Sequence, residues 1–191
     1  MMTIQRWPKK VAELTPEQQK IRDEFMVKWL EELPVRYGLA ENFNQSYPLR
    51  TYRAGARTLE IGSGLGAHLS YENLKEQEYV ALDIRPEMAE MIRSKFPGVQ
   101  TVTGDCQKRI DFPNHYFDRV LAIHVLEHLP DLPSALLEVK RVLKPDGTFC
   151  IMIPCDPGFA YSIARNISAR PFFEKLFHQS YDWLINVEHI N

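Results

Sequence analysis

The stretch at residues 58–69, TLEIGSGLGAHL, constrains this chain more than any other. A short apolar run followed by Gly62, Gly64 and Gly66 reads as a strand, a tight turn and then a helix. Gly62 and Gly64 permit a ligand to approach main chain that a side chain would shield, and the helix start would add its own free amides. A turn of this kind belongs at the carboxyl edge of a parallel sheet.

The rest of the chain repeats that grammar. Short β-branched or apolar runs at 57–61, 79–83, 99–103, 117–124 and 148–154 alternate with amphipathic stretches at 67–75, 86–96 and 133–143. Alternation of this type predicts a doubly wound α/β fold, with helices on both faces of a mostly parallel, Rossmann-like sheet. Pro145, Asp146 and Gly147 supply the turn before the fifth strand. Ahead of the sheet, Thr15, Pro16 and Gln18 form a capping-box signature, so a helix is expected from Thr15 to a stop at Pro34. Residues 37–56 read as an irregular connection. After Pro154 come Phe159, Tyr161, Phe172, Phe173, Phe177, Tyr181 and Trp183, with helices expected on either side of Pro171. The expected organisation is one structural domain: residues 1–56 cap the site, 57–154 form the α/β core, and 155–191 form an aromatic-rich helical cap.

Composition narrows the function classes. A net charge of -2, with both signs mixed along 191 residues, offers no basic stripe to a phosphate backbone and speaks against nucleic acid as a partner. Cys106, Cys150 and Cys155 are odd in number and lack metal-ligand spacing, which fits a reducing, cytoplasmic setting. No apolar run reaches the ~20 residues that span a bilayer, and residues 1–10 lack a secretory core.

Gly62, Gly64 and Ala67 also satisfy the dinucleotide fingerprint GxGxxG/A, so glycine spacing leaves two cofactor classes open. Glu60 tips the choice: a carboxylate two residues before Gly62 repels a pyrophosphate but attracts a ligand ammonium. Asp83, ending the second strand, suits the two hydroxyls of a ribose, and Asp105, after the third, suits an exocyclic amine. Each has a plainer reading as a strand-end residue bonded to nearby amides.

Taken in order, LEIGSGLG, ALDI, GDC, FDRVLAIHVLEHLPD and LKPDGTF resemble the class I S-adenosylmethionine-dependent methyltransferase family over residues 57–154. The resemblance implies S-adenosyl-L-methionine as cofactor, a small-molecule methyl acceptor, and a cofactor site lined by Glu60, Gly62, Ser63, Gly64, Asp83, Ile84, Asp105 and Cys106. Ile84 would pack on the adenine. Two departures stand out. The family's usual final strand pair is lacking, which points to a homodimer or a missing C-terminal segment to cover the edge; and Ala67 keeps a nicotinamide-dependent oxidoreductase in play. The YxxxK pair that short-chain members of that class need occurs here only at Tyr71 and Lys75, in the helix expected just after the glycine turn, where it cannot serve.

His124, Glu127 and His128 follow the fourth strand. His124 is the candidate catalytic base for an acceptor hydroxyl, which slightly favours O-methylation; its plainer reading is a wall of the pocket. Some relatives of this family hold a divalent cation with ExxEH, but here His124 replaces the first Glu, so no metal site is expected. A catalytically silent or truncated cofactor-binding module is the alternative function.

Overall fold

The structure, a computed structural model, describes residues 7–154 and 158–188. Its centre is a five-stranded sheet in the order β3-β2-β1-β4-β5: β1 Arg57–Ile61, β2 Glu78–Asp83, β3 Gln100–Thr103, β4 Phe117–Ile123 and β5 Leu143–Met152. All four pairings are parallel. The chain reverses direction across the sheet between β1 and β4, so the carboxyl ends of these two strands flank the crevice where doubly wound folds bind ligands.

Alternate residues of each strand serve opposite faces. Leu59, Ile61, Val80, Leu82, Val120 and Ala122 pack with Ala135, Val139 and Val142 of α3 (Leu132–Val142). On the other face Tyr79, Ala81 and Leu121 pack with Leu69, Val99 and Ile92, the last from α2 (Pro86–Lys95).

Three expectations need correction. The helix expected at 67–75 is a single 3-10 turn, His68–Ser70, followed by turns. Its residues are recruited elsewhere: the buried His68 ring lies 2.6 Å from the Gln45 carbonyl oxygen and 2.7 Å from Glu72 Oε1. Gln77 Nε2 donates to the other Glu72 oxygen at 2.7 Å. The glycine turn therefore has no long helix starting behind it, and Tyr71 and Lys75 lie in turns.

The N-terminal helix α1 (Pro16–Ser46) opens on the expected capping box, Thr15 and Gln18 bonding reciprocally at 3.0 and 3.2 Å. It does not stop at Pro34. It bends at Tyr37 (φ -129, ψ 31) and runs on through what the sequence suggested was irregular, ending in a 3-10 turn, Tyr47–Thr51. Each half is anchored separately, Phe25 and Trp29 in the C-terminal aromatic cluster and Gln45 and Asn42 on His68 and Tyr71, so the chain bends where it was expected to end.

The fifth strand starts at Leu143, earlier than expected. Phe117 pairs with Leu143 and Arg119 with Thr148, so the Pro-Asp-Gly turn bulges out within the strand. Gly147 is required there, since a Cβ would lie 2.6 Å from a Leu143 methyl and 3.0 Å from the Asp118 carbonyl.

After β5 come α4 (Phe159–Ala164), a π-helical turn, α5 (Arg170–Phe177) with Pro171 in its first turn, and α6 (Asp182–Glu188). Phe173, Tyr181, Leu184 and Ala169 enclose Phe25 of α1, with the Phe25 and Phe173 rings edge to face at 5.1 Å. Cys155 lies outside the described residues. Among the described residues no helix is long and apolar enough to cross a membrane.

Candidate functional site

The glycine turn is shaped by its own backbone. Gly62, Gly64 and Gly66 all have positive φ (66, 51 and 73°), and the amides of Gly62 and Ser63 both donate to the Leu82 carbonyl, at 2.7 and 3.1 Å. Gly66 closes the turn on Ser63 at 2.9 Å. A Cβ on Gly62 would overlap the Val125 side chain, so this glycine is set by the loop after β4 and not only by a ligand.

At the ends of β2 and β3 lie the two expected aspartates. Asp83 is buried, and its Oδ2 accepts from the Gly64 amide at 2.9 Å; Oδ1 accepts from the Arg85 amide at 3.0 Å and Arg85 Nε at 3.1 Å. Asp105 Oδ1 accepts from the amide and the side chain of Gln107, at 2.9 and 3.0 Å. Ile84, between Asp83 and Arg85, is 62% exposed. Cys106 differs: its side chain is in the apolar core, where burial, with the Asp105 charge next to it, pushes the thiol up to about 12. Only its main chain is available to a ligand.

Glu60 is also inside. Its Cα partners are Ala81 and Leu121, mid-sheet, and its carboxylate accepts from the Tyr79 hydroxyl at 2.8 Å. Burial raises its pKa, with the nearby His68 acting the other way. Beside it lies a buried ionic cluster: Arg119 donates through Nη1 to Glu72 Oε1 (2.7 Å), through Nε to Thr51 Oγ1 (2.8 Å) and through Nη2 to the Pro48 carbonyl (2.6 Å).

The loop after β4 holds the HxxEH residues. His124 has φ 53, a left-handed conformation uncommon for a residue with a side chain, and its amide donates to the Met152 carbonyl at 2.8 Å. Its Nδ1 lies 3.5 Å from Glu127 Oε1, and His128 Nε2 lies 3.9 Å from the same oxygen. Burial would raise the Glu127 pKa, but the contact with His124 and the charge of His128 hold it below the ordinary value. His128 Nδ1 is 2.6 Å from the Glu188 carbonyl, joining this loop to α6. Among the described residues two buried oxygens have no hydrogen-bond partner, Ser63 Oγ in the glycine turn and Glu127 Oε2 in this loop.

Residues 59–151 match the family model described as a methyltransferase domain. The core of this chain is a class I S-adenosylmethionine-dependent methyltransferase domain. Among curated proteins it is similar to a probable phthiotriol/phenolphthiotriol dimycocerosates methyltransferase 2 of Mycobacterium ulcerans, 36% identical over 100 residues (50% of this chain, 38% of the relative). It is also similar to 2-methyl-6-phytyl-1,4-hydroquinone methyltransferase 1 of Oryza sativa, 30% identical over 121 residues (59% of this chain, 35% of the relative). The chain thus spans well under half the length of these relatives. A TehB-like methyltransferase structure from Corynebacterium glutamicum shares the fold at a TM-score of 0.59 and 19% identity, covering 80% of this chain and 83% of that one.

S-adenosyl-L-methionine is the cofactor of such a domain, and the residues fit it. The glycine turn leaves room for main-chain contact, Ser63 Oγ is an unused buried polar group beside it, Asp83 and Asp105 offer carboxylates at consecutive strand ends, and Ile84 offers an exposed apolar side chain. The sequence missed Arg85, although an Asp-x-Arg spacing is the signature of a turn in which the aspartate accepts from the residue two places on. It also missed Val125 beneath Gly62 and the Arg119–Glu72 pair, which are contacts between distant parts of the chain.

Proposed function

We propose that this protein transfers a methyl group from S-adenosylmethionine to a hydroxyl of an apolar small molecule. The bound cofactor supplies a methyl carbon on a sulfonium, and transfer leaves S-adenosylhomocysteine. The observation that carries the hydroxyl reading is His124: a non-glycine residue in left-handed backbone at the carboxyl end of β4, buttressed by a carboxylate on one ring nitrogen. In this reading His124 takes the proton of the acceptor hydroxyl and Glu127 orients the imidazole and offsets its charge. Gly62, Ser63, Gly64, Asp83, Ile84, Asp105 and the main chain of Cys106 bind the cofactor, with Glu60 beneath them. Of the described residues, 7–56 cap the cofactor site and 158–188 form the aromatic-rich helical cap. The names of both curated relatives include a triol and a hydroquinone, molecules that bear hydroxyls, which supports a hydroxyl-bearing acceptor.

Incubation with methyl-labelled cofactor and a panel of long-chain alcohols, phenols and hydroquinones, read by mass spectrometry, tests the proposal. Labelled ethers are expected; label on carbon or nitrogen alone would replace it, and tight cofactor binding with no turnover across the panel would favour a silent module. His124→Asn is the informative variant, because asparagine tolerates left-handed backbone. The expected result is a fall in kcat of about 100-fold with unchanged cofactor affinity. An unchanged kcat would reduce His124 to a wall of the pocket.

A further inference from the structure

The Asp83 carboxylate is more heavily bonded than a ribose-binding group should be. Each carboxylate oxygen accepts about two hydrogen bonds in its plane. Oδ1 already has two, from the Arg85 amide (3.0 Å) and Arg85 Nε (3.1 Å); Oδ2 has the Gly64 amide (2.9 Å) and, more distantly, Arg85 Nη2 (3.4 Å). A vicinal diol brings two O–H donors and needs one free position on each oxygen. None is free on Oδ1.

The four bonds fall into two pairs of different kind. The two main-chain amides belong to the glycine turn and to the turn after β2, and cannot leave without unfolding those turns. Those from the guanidinium come from a side chain that is 34% exposed, on a residue whose backbone is fixed by its own amide bond to Asp83 and by Pro86 at the start of α2. The side chain alone can swing away, and its departure vacates one position on each oxygen.

Resting on the cofactor reading above, we propose that Arg85 is a displaceable placeholder for the ribose. Its guanidinium occupies the two positions on Asp83 that the diol takes, neutralises a carboxylate that would otherwise be buried without a counter-charge, and is expelled when cofactor binds. Arg85 therefore stabilises the ligand-free protein and weakens cofactor binding. The main-chain amides of Gly64 and Arg85 hold the carboxylate oriented in both states.

The test is calorimetric titration of wild type, Arg85→Met and Arg85→Lys with S-adenosylmethionine, 5′-methylthioadenosine and a 2′,3′-dideoxyadenosine analogue of the latter. Arg85→Met is expected to bind both diol-bearing ligands roughly fivefold more tightly, the worth of a partly exposed ion pair, and to melt at a lower temperature without ligand. The lysine variant, keeping charge without the fork, should fall between. The dideoxy analogue should show no gain. Equal or weaker binding of S-adenosylmethionine by Arg85→Met, or an equal gain with the dideoxy analogue, overturns the placeholder. Failure of wild type to bind S-adenosylmethionine at all overturns the cofactor reading instead. Should the methionine variant not fold, the Arg85 Nε–H resonance of the wild type decides: it is expected to shift on addition of 5′-methylthioadenosine, and a resonance that stays in place overturns the proposal.

Discussion

The two faces of the sheet are built from alternate residues of the same strands, yet they solve burial in opposite ways. The α3 face is hydrocarbon with one thiol: Leu59, Ile61, Val80, Leu82, Val120 and Ala122 against Ala135, Val139 and Val142. Behind Glu60 the other face buries Arg119, Glu72, His68 and Tyr79, every one of them hydrogen-bonded. Hydrocarbon packing is non-directional and accepts many neighbours of suitable volume. A buried guanidinium with three donors on Thr51, Glu72 and Pro48 accepts one arrangement, and so specifies where the segment after α1 seats on the sheet. Both faces bury hydrocarbon, but only the second adds an ionic cluster that fixes position.

Substitutions can break that contrast. Arg119→Met should be the costliest, at about 4 to 5 kcal/mol in chemical denaturation, because it leaves Glu72 charged and buried with the guanidinium gone. Leu59→Ala on the hydrocarbon face should cost about 3 to 4 kcal/mol, the usual range for a fully buried leucine. Were the leucine the more expensive of the two, the distinction drawn here would dissolve.

Acid sharpens the same contrast. Burial pushes the Glu72 carboxyl up, but His68 and Arg119 outweigh it and hold the pKa at about 2. A depressed folded-state value gives stability that is complete above the ordinary carboxyl range and lost as pH falls toward 2, worth about 3 kcal/mol in this case. Glu60, shifted upward, has the opposite sign and gains as pH falls. In denaturation between pH 6 and 2, the stability gap between wild type and Glu72→Gln should therefore be widest near neutrality and shrink below about pH 4.5. A gap that does not change with pH would mean that the cluster does not hold Glu72 ionised. The smallest effect belongs to the glycine turn, where Ser63→Ala removes a buried hydroxyl with no partner among the described residues and should raise the ligand-free unfolding free energy by up to about 1 kcal/mol, read as a higher melting temperature.

The first four strands were readable because each is a short β-branched or apolar run that leads into Gly62, Asp83, Gly104 or His124, and the carboxyl-edge residues Asp83, Asp105 and His124 follow from them directly. What could not be read is instructive. Residues 67–75 carry acceptable helix formers, but His68 and Glu72 are held by the carbonyl of Gln45 and the guanidinium of Arg119, 23 residues before His68 and 47 after Glu72, with Gln77 on the second Glu72 oxygen. Pro34 and Gly38 are ordinary stop signals, overridden because both halves of α1 find separate partners. Glu60 was expected to attract a ligand ammonium, directly or through water; the Tyr79 hydroxyl, 19 residues on and in the neighbouring strand, donates to its carboxylate and was not foreseen. Local pattern reports what a segment can do, and pairings made across the sheet decide which option is taken.

The contact between Gly62 and Val125 has a mechanical meaning. The turn that opens the sheet's carboxyl edge and the loop that carries His124 touch there, backbone on one side and branched methyls on the other, with no space for a β-carbon between them. They form a feeler gauge: any side chain at 62 wedges the two loops apart, and any shortening at 125 lets them close. The separation between whatever the turn cradles and whatever His124 faces is thus machined by a single valine.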